Sequence, residues 1–544
     1  MMRWEWIKRV VFFIVALVCV VFIYTFSNAQ EGLGSEKKLR QLPLERVFVR
    51  DITITGNTVF SAEELTKVTA PYINRELSPE DLEDLRRALT LYYINKGYIN
   101  SGAIIPGQTV ADGVLTLHVV EGELTHMKVE GIKWFNAGYI KDRLALGAGP
   151  PLNIIPLQER LQLLQQDPRI QRLNAELKPG VKPGESELNV QVEEESPYKL
   201  WLRFNNYQSP TVGAERGQVT VAHQNMTGHG DILSLTYGRS KGIDNQIDAM
   251  YSVPFTAHDT TVNFRYRKND FAVIEEPFEP LDVESKSEIV AVTLRHPFYR
   301  TINQEFAMAL TGEHLHNETF LLGEPFPFSL GAKDGESKVT ALRFSQEWTY
   351  KTQTQVFAIR SRFSLGIDAL DATINEPGIP DGRFFSWLGQ FQWARRLRLW
   401  DTQMIFRTDL QLADDPLLPL EQIAIGGRFS VRGYRENQMV RDNGLISSLE
   451  FRIPLIREKF WANSVQLALF VDFGRAWNKD ISTPEVKNIS SAGLGLRWEV
   501  TLPLRLQLKP QFEIYWGVPF RDIETSGGDL QDHGIHIQLT ITAF

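Results

Sequence analysis

Alternating apolar and polar residues dominate the chain from Tyr198 onward. In the first run Leu200, Leu202 and Phe204 are apolar, and the residues between them are polar or amphipathic. A period of two puts alternate side chains on opposite faces of a β-strand. Runs of this kind occur near 198–206, 215–223, 231–240, 245–255, 258–267, 287–296, 303–314, 337–349, 354–367, 383–395, 402–412, 445–453, 464–473, 490–500, 503–516 and 534–544. Their even number, and lengths near the roughly 9–11 residues that cross a bilayer, predict a 16-stranded transmembrane antiparallel β-barrel over 196–544.

The lengths of the connecting segments support the same prediction. Segments after even-numbered strands are short, such as 224–230, 256–257 and 350–353, and the longest of them is 454–463. Longer segments follow odd-numbered strands, at 268–286, 315–336, 368–382, 413–444, 474–489 and 517–533, and only the first two outer loops are short. Short periplasmic turns and long outer loops are typical of outer-membrane barrels, and a sheet in lipid must close to satisfy its backbone. A large soluble β-sandwich or propeller is the alternative, but it explains only the alternation.

Tryptophans lie near several predicted strand ends, where aromatic girdles contact the two surfaces of a membrane. They are Trp201, Trp387, Trp393, Trp477, Trp498 and Trp516. We therefore expect these side chains to face the lipid at the ends of the strands.

The first 29 residues have the pattern of a secretory signal peptide. Basic residues precede an apolar run, Val10–Phe26, and small residues at Ser27 and Ala29 fit a cut after Ala29. An uncleaved membrane anchor is the alternative, because the apolar run is long. The only cysteine, Cys19, lies inside this segment, so we expect an exported chain without disulfides. The net charge of −8 gives no reason to expect a nucleic acid partner.

Residues 30–195 predict a short linker and two small α/β domains. The linker is 30–45, and the domains are 46–122 and 123–195. Each domain has the order strand, helix, helix, strand, strand. The first begins with one strand, Val47–Thr55, whose apolar residues change parity after Val49, as in a bulged strand or one buried on both faces. Its first helix has a capping box at Ser61.

The element order of these domains resembles the polypeptide-transport-associated (POTRA) domain. Gly56-Asn57-Thr58 and Lys96-Gly97-Tyr98 stand where that family has its Gly-Asn turn and its Lys-Gly-Tyr helix end. The resemblance implies two periplasmic POTRA domains that receive polypeptide chains. An open sheet edge would suit that role, because an unfolded peptide can add to it as a strand. Two unspecialised α/β domains are the alternative.

Two short motifs make the resemblance of the whole chain more specific. Val431-Arg432-Gly433-Tyr434 lies in the longest outer loop, 413–444, between predicted strands eleven and twelve. Phe470-Val471-Asp472-Phe473-Gly474 lies on strand thirteen and resembles the Phe-x-Asp-x-Gly motif, Phe470, Asp472 and Gly474, of a barrel inner wall. The turn Asn225–Asp231 also resembles the family pattern after strand two. Together they resemble the superfamily that contains BamA and, within it, the two-partner secretion transporters (TpsB, FhaC/ShlB-like).

That resemblance implies a position for the loop. In the family the loop folds back into the lumen, and its arginine meets the wall aspartate, so Arg432 is expected to pair with Asp472. The chemistry agrees, because a carboxylate that faces lipid is costly and Asp472 should face the lumen. A bidentate guanidinium is a favourable partner for such a carboxylate.

The resulting functional prediction is an outer-membrane translocator of two-partner (type V) secretion. The chain would export a large unfolded partner protein, haemagglutinin- or haemolysin-like, from periplasm to cell surface or medium. Outer-membrane lipid and, during biogenesis, the barrel assembly machinery are further expected partners. The last strand and Phe544 resemble the signal that this machinery reads, although Phe544 departs from the strand's parity. A plug helix before the first POTRA domain is not expected, because 30–45 is short and has few aliphatic residues.

Rival functions remain open on the sequence alone. A BamA- or TamA-like barrel assembly factor (insertase) is the alternative, although such proteins usually have more POTRA domains. A plain porin needs no soluble N-terminal domains, and no motif supports a barrel-anchored hydrolase. No nucleotide-binding loop, catalytic constellation or metal-ligand set is visible in the sequence. We therefore predict no enzymatic activity, no cofactor and no metal.

Overall fold

A computed structural model describes residues 46–502, 507–525 and 527–543. The predicted signal peptide and linker, the question of a plug helix and Phe544 lie outside the described residues. The chain divides into two compact units, 46–90 with 103–119 and 91–102 with 120–543. Among the described residues, no helix combines the length and the apolar composition that a membrane crossing requires.

The first unit holds most of the first predicted α/β domain. Its elements are β1 (Val47–Val49), β2 (Asp51–Thr55), α1 (Ala62–Thr69), β3 (Arg75–Leu77), α2 (Pro79–Asn95), which continues into the second unit, β4 (Gly102–Ile104) and β5 (Val114–Val120). β1 pairs with β3, and a second sheet has the order β2-β5-β4. The capping box at Ser61 is present at the start of α1. Leu85 and Leu89 of α2 are fully buried, as are Leu115 and Leu117 of β5.

The prediction of one strand over 47–55 is wrong. The chain leaves β1 at Arg50, whose backbone N–H donates to the Gly113 carbonyl oxygen at 2.7 Å, and then enters β2 in a different sheet. The apolar residues change parity between Val49 and Ile52 because the two strands bury different faces.

The second α/β domain repeats this architecture within the second unit. Its elements are β6 (Glu123–Glu130), α3 (Ala137–Ala145), α4 (Ile154–Gln165), β7 (Ile170–Pro179) and β8 (Glu185–Glu194). The sheet order is β6-β8-β7, with β6 parallel and β7 antiparallel to β8. Helical and strand residues share one core, built from Phe135, Tyr139, Ile140, Leu144, Leu152, Leu157, Leu164, Ile170, Leu188, Val190 and Val192.

The remaining strands form a closed barrel. They are β9 (Tyr198–Asn205), β10 (Arg216–His223), β11 (Ile232–Ser240), β12 (Ile243–Pro254), β13 (Thr261–Ala272), β14 (Val283–Arg300), β15 (Gln304–Leu321), β17 (Glu336–Lys351), β18 (Gln355–Ile367), β19 (Phe385–Arg396), β20 (Gln403–Ala413), β23 (Asn443–Lys459), β24 (Ala462–Trp477), β25 (Asn488–Glu499), β26 (Lys509–Pro519) and β27 (Ile535–Ala543). A two-residue strand, β16 (Glu324–Pro325), adds to β15 beyond the wall. β27 pairs with β9, so the predicted 16-stranded antiparallel barrel is confirmed.

Side-chain parity separates a lipid face from a lumen face. On β14 the exposed Val290, Val292 and Leu294 point outward, and Ala291, Thr293 and Arg295 point inward. Lipid-facing apolar residues and lumen-facing polar residues are the usual arrangement in outer-membrane barrels. Trp201 is an exception to our expectation of a lipid-facing girdle. It shares its parity with the buried Asn205 and therefore lies on the lumen side of β9.

Some strands run beyond the predicted ends. The predicted link 454–463 is mostly strand, because β23 continues to Lys459 and turns at Phe460 and Trp461. β14 and β15 also extend into the predicted outer loops 268–286 and 315–336. Outside the apolar layer a strand is wet on both faces and does not need to alternate. The alternation therefore marks only the part of each strand that crosses the membrane.

Candidate functional site

The loop between β20 and β23 has a short hairpin of its own. Its strands are β21 (Ile423–Ile425) and β22 (Met439–Arg441), which pair antiparallel. The tip between them bonds to itself: the Ser430 hydroxyl lies 2.7 Å from both the N–H and the carbonyl oxygen of Gly426. The Arg428 backbone N–H donates to Glu436 Oε1 at 2.7 Å. These bonds give the tip a defined shape before any contact with the wall is considered.

Arg432 binds Asp472 of β24 through three hydrogen bonds. Its Nε donates to Oδ2 at 2.7 Å, its Nη2 to Oδ1 at 2.8 Å and its backbone N–H to Oδ2 at 3.0 Å. Arg432 is 2% exposed and Asp472 is 1% exposed. The structure thus places the tip of the loop inside the barrel and brings together the two charged residues that the motifs singled out.

Two further wall residues of β23 complete the arginine site. Glu450 forms an ion pair with Arg432 Nη1, and the Ser448 hydroxyl accepts from Nη2 at 3.1 Å. Ser448 also donates to Asp472 Oδ1 at 2.6 Å. The guanidinium lies 3.6 Å from the centre of the Phe470 ring, a cation–π contact with the other inward residue of the motif. We call Arg432, Asp472, Glu450 and Ser448 the loop latch.

The energy of the latch depends on both charges being present. Breaking a buried ion pair by removing one partner costs about 3–5 kcal/mol, because the other charge stays buried without compensation. Removal of the Arg432 side chain would leave Asp472 buried without an ion-pair partner in the described part of the chain, whereas Glu450 would keep its ion pair with Arg452. A partly docked loop would leave one charge buried without its partner. The ion pair therefore favours a loop that is either fully docked or fully detached.

Apolar contacts on the outer side of the latch position the tip. Val431 and Tyr434 are buried, and the Tyr434 hydroxyl lies 3.1 Å from the carbonyl oxygens of Ser490 and Arg521. The cluster around them consists of Ile425, Val431, Tyr434, Met439, Ile446, Ala476 and Ile489. A Cβ atom at Gly474 would lie 2.9 Å from a Val431 methyl group, so the glycine of the wall motif leaves room for the loop.

Gly433 lies directly against the backbone of β26. Its φ of +92° belongs to the left-handed region, which favours glycine. A Cβ atom on Gly517 would approach the Gly433 nitrogen to 2.7 Å, and one on Gly433 would lie 2.9 Å from the Gly517 carbonyl. His536 of β27 accepts the Gly433 N–H at 3.4 Å. The two backbones are therefore in contact with no side chain between them.

Other charges of the same loop bind other parts of the wall. Arg428 pairs with Glu513 of β26 at 3.2 Å, and Arg435 pairs with Asp532 at 2.9 Å and Glu275 at 2.7 Å. These contacts extend from the lumen to the outer loops. They anchor the loop tip on several strands at once.

A second buried ion pair holds the first leg of the loop. Glu421 binds Arg343 of β17 through two hydrogen bonds of 2.7 and 3.0 Å, and Arg343 also binds Glu313 of β15 at 2.7 Å. Arg343 and Glu421 side chains are almost fully buried. β17 lies five strands round the barrel from β24, so this pair anchors the loop to a distant part of the wall.

Sequence reasoning missed Glu450, Ser448, Arg428, Glu513, Arg343 and Glu421. Inward parity on the strands already marks Glu450, Glu513 and Arg343 as lumen-facing residues. Parity does not show which of these residues contacts the loop, because the two partners in each contact are far apart in the sequence. Arg428 and Glu421 lie in an irregular segment, where no period exists to give their direction.

The second α/β domain contacts the periplasmic turns of the barrel. The turn Asn225–Asp231 presents its carbonyl oxygens: Asn136 N–H donates to Gly228 at 2.8 Å, and the Arg169 guanidinium donates to Gly230. Arg143 of α3 donates from Nε to Asp259 Oδ1 at 3.0 Å, in the next turn of this end. The motif after strand two is thus a docking surface for this domain.

An ion pair within the second α/β domain, between Asp167 and Arg169, holds Arg169 in position for this contact. Burial by itself raises the pKa of Asp167, but the hydrogen bonds and positive charge of Arg169 outweigh it and hold the pKa below its ordinary value. Asp167 therefore stays ionised at neutral pH and fixes the guanidinium through bonds of 2.6 and 2.7 Å. A cleft of about 410 Å³ lies beside this contact, at the inner rim of the barrel. Its charged lining residues are Arg143, Arg160, Asp167, Arg169, Asp259, Arg295, Arg300 and Glu305.

One group of side chains in the described part of the chain has the spacing of metal ligands. It consists of His316, Glu318 and Glu336 at the outer ends of β15 and β17. The Lys338 ammonium lies 2.7 Å from Glu336 and already balances that carboxylate. The donor set therefore fits a surface ion-pair network better than a metal centre.

Comparison with known proteins gives the family. The family model for haemolysin secretion/activation proteins, ShlB/FhaC/HecB, matches residues 184–498, which is more than half of the 544 residues. The chain belongs to this family. A ShlB-type POTRA domain model matches residues 47–122. The chain is 22% identical over 408 residues to the outer membrane transporter CdiB of Dickeya dadantii, an alignment that covers 73% of this chain and 70% of that protein.

Solved structures share the fold. CdiB from Escherichia coli matches with a TM-score of 0.69 and 20% identity, covering 94% of this chain and 93% of that one. BamA from Haemophilus ducreyi, lacking its first three POTRA domains, matches with a TM-score of 0.54 and 14% identity over 91% of this chain and 99% of that one.

Membership of the family gives the class of function. The haemolysin secretion/activation family consists of outer-membrane transporters of two-partner secretion, with periplasmic POTRA domains in front of the barrel. The prediction from the motifs is therefore confirmed for family, fold, location and class of function. The barrel-assembly alternative is less well supported, because the family model and the curated relatives are those of secretion transporters.

Proposed function

We propose that this chain exports one large partner protein in unfolded form, through the barrel lumen, from the periplasm to the cell surface or medium. The partner would be haemolysin- or haemagglutinin-like, as the family description suggests. The barrel assembly machinery would insert the chain itself during biogenesis. The observation that carries the proposal is the buried loop latch inside a closed, polar-lined barrel.

The proposed path begins at the second POTRA domain. β6 and β7 are the edge strands of its sheet, and an extended peptide can add to such an edge through backbone hydrogen bonds. The charged cleft beside α3 and α4 then opens at the inner rim of the barrel. Because its lining carries both signs of charge beside apolar side chains, it suits a polypeptide without strong sequence preference.

In this proposal the loop latch closes the lumen at rest. The docked tip occupies the space in front of β24–β27. A partner chain that enters from the periplasm would displace the tip. Folding of the partner outside the cell would supply the free energy that this displacement requires. Val431, Arg432, Gly433 and Tyr434 would be the moving half of the site, and Phe470, Asp472 and Gly474 the fixed half.

The test is the substitution Arg432→Ala. We expect the barrel to insert and resist denaturation in cold detergent as the parent does. Export of the partner should fall at least about tenfold, because without the buried ion pair, worth about 3–5 kcal/mol, a displaced loop no longer returns to its docked position. Export is measured as secreted partner relative to the periplasmic pool. Single-channel recordings on the same protein should show a larger open current.

Arg441→Ala is the matched control. It makes the same substitution in the same loop, but Arg441 binds only a backbone oxygen, that of Val440 at 2.6 Å, within the described chain. Its export and current should equal those of the parent. Normal export by Arg432→Ala in a folded barrel would rule out the latch as a working part of the transporter.

A further inference from the structure

Two neighbouring hairpins at the periplasmic end of the barrel have an unusual composition. One turn, residues 397–402, joins β19 to β20, and the other is the two-residue turn between β23 and β24. Asp401 connects them, because it accepts a hydrogen bond from Arg396 at 2.8 Å and forms an ion pair with Arg457. The two hairpins therefore form one continuous surface.

This surface is strongly basic. Segments 395–401 and 455–461 together contain five arginine or lysine residues and two carboxylates. Arg395, Arg398 and Lys459 are exposed, and none of them forms an ion pair with a residue in the described part of the chain. Cations without a protein partner are available to a negatively charged ligand.

Large apolar side chains stand among these cations. Trp400 is 70% exposed and Phe460 is 94% exposed. The Trp461 carbonyl accepts a hydrogen bond from Trp498 Nε1 at 3.0 Å, and Trp498 has the outward parity of the exposed Leu496 on β25. The tip of the second hairpin therefore lies on the lipid side of the barrel wall, next to the lower edge of its apolar band.

Other periplasmic turns differ from these two. Thr301-Ile302-Asn303 and Thr352-Gln353-Thr354 contain no charged residue. The turns around Gly228 and Asp259 contact the second α/β domain through the bonds already described. Among these fully described turns, the basic and aromatic cluster is thus confined to the sector of the rim from β19 to β24.

We propose that residues 395–401 and 455–461, the basic–aromatic rim, bind the phosphate headgroups of anionic phospholipids in the periplasmic leaflet of the outer membrane. Aromatic rings sit at the level of the headgroups in membrane proteins, and arginine and lysine bind lipid phosphates beside them. Each basic residue close to an anionic lipid surface strengthens the attraction about fivefold. The partner is identified by its charge, which complements the rim, and by the position of Trp461 beside lipid-facing Trp498.

Lipid retention provides the main test. The full-length protein is extracted from membranes of equal parts phosphatidylethanolamine and phosphatidylglycerol, and native mass spectrometry counts the lipids that stay bound. The parent should retain phosphatidylglycerol in excess. The triple variant Arg395→Gln, Arg398→Gln, Lys459→Gln should lose that excess at least about tenfold, while its barrel stays folded by heat-modifiable migration.

A matched control removes the same charge elsewhere on the periplasmic side. Lys128→Gln, Lys178→Gln, Lys182→Gln changes three exposed lysines of the second α/β domain and should leave lipid retention unchanged. Equal phosphatidylglycerol excess in the rim variant and the parent would overturn the proposal.

A depth measurement gives an independent outcome. A fluorophore is attached at Phe460→Cys in a Cys19→Ser background, and quenching is compared between lipids brominated on the acyl chain and iodide in water. We expect quenching by brominated lipid. Quenching by iodide alone would show a water-facing rim, suited to a soluble periplasmic partner, and would overturn the lipid assignment.

Discussion

At the scale of single residues, the latch depends on the shape of one side chain. Arg432 donates to Asp472 and Ser448 and pairs with Glu450, which a planar fork of five N–H groups can do at the same time. A lysine ammonium has the charge but not the fork. The motif residues Arg432 and Asp472 were predictable from the sequence because family resemblance points to both, and strand parity gives the inward direction of Asp472.

The other residues that surround Arg432 could not be predicted from motifs or from strand parity. Glu450 and Ser448 carry no motif, and alternation gives only their inward direction. Their contact with the loop depends on how far an irregular segment reaches into the lumen, which no local period encodes. Charges that are partners across a cavity are separated by long stretches of chain, so only the folded barrel brings them together.

Glu436 gives the loop a dependence on pH. Burial raises the pKa of this carboxyl to about 7, against the hydrogen bond from the Arg428 N–H, which favours the charged form. A raised folded-state pKa stabilises the docked loop most below the ordinary glutamate pKa near 4.3, and this stability is lost as the pH rises through about 7. The frequency of open-channel events should therefore increase several-fold from acidic to alkaline pH.

Single-channel recording across this range checks the prediction, with Glu436→Gln as the comparison. Glutamine cannot ionise, so the variant should stay as closed at alkaline pH as the parent is at acidic pH. An identical pH profile for parent and variant would assign the effect to another group.

At the scale of elements, the membrane-crossing parts of the strands were predictable from the sequence and the strand ends were not. The strands that cross the membrane were predictable because their side chains face lipid and lumen in turn, which produces the alternation. The ends of β14, β15 and β23 were missed, since both faces are wet there and the alternation stops. The break at Arg50 was missed because a change of sheet and a bulge give the same change of parity.

The first leg of the loop should depend on Glu421. The substitution Glu421→Gln removes the charge opposite Arg343, and Arg343 keeps Glu313 at 2.7 Å. We expect docking of residues 413–425 to weaken by about 1.5–3 kcal/mol, the usual value of hydrogen bonds to charged groups. Hydrogen exchange in that segment should rise, while the protection of the tip around Arg432 changes less.

Glu376→Gln is the control for this experiment. Glu376 lies exposed in a neighbouring outer loop, and the same loss of charge there should leave the exchange of 413–425 unchanged. Equal exchange in Glu421→Gln and the parent would show that the pair with Arg343 contributes no anchoring.

The contact between α3 and the barrel turns should depend on Arg143. Arg143→Ala removes the bonds to Asp259, and the stacking of the guanidinium 3.6 Å from the Tyr139 ring. We expect faster proteolysis around residues 256–260 and several-fold weaker export in a barrel that folds normally. Lys141→Ala on the same helix is the control, because Lys141 forms no ion pair within the described chain. Unchanged proteolysis in Arg143→Ala would contradict this role.

At the scale of the whole molecule, pairing of β9 with β27 closes the barrel, and the proposed export route therefore runs through the lumen. Fold class and strand number were predictable, since only a closed sheet satisfies the backbone in lipid. A lumen route requires no opening of this seam, whereas a route through the barrel wall at this point does. The two routes therefore differ in what happens when the seam is locked.

A disulfide across the seam separates them. Leu202 and Ile541 are directly paired across β9 and β27, within reach of a disulfide. In Leu202→Cys, Ile541→Cys the bond should form, and export should remain within about twofold of the reduced protein, as expected for directly paired positions with little strain. The single variant Leu202→Cys is the control. Export that stops on oxidation and returns on reduction would favour a route through the seam.

The contact of Gly433 with Gly517 limits the ways in which the pore can open. Two peptide backbones that touch without side chains have nothing between them that can bend or change rotamer to allow a gradual separation. The loop is then either flush with the wall or detached from it. Current through a single pore should accordingly jump between discrete levels, in the manner of a switch, and not drift through a continuum.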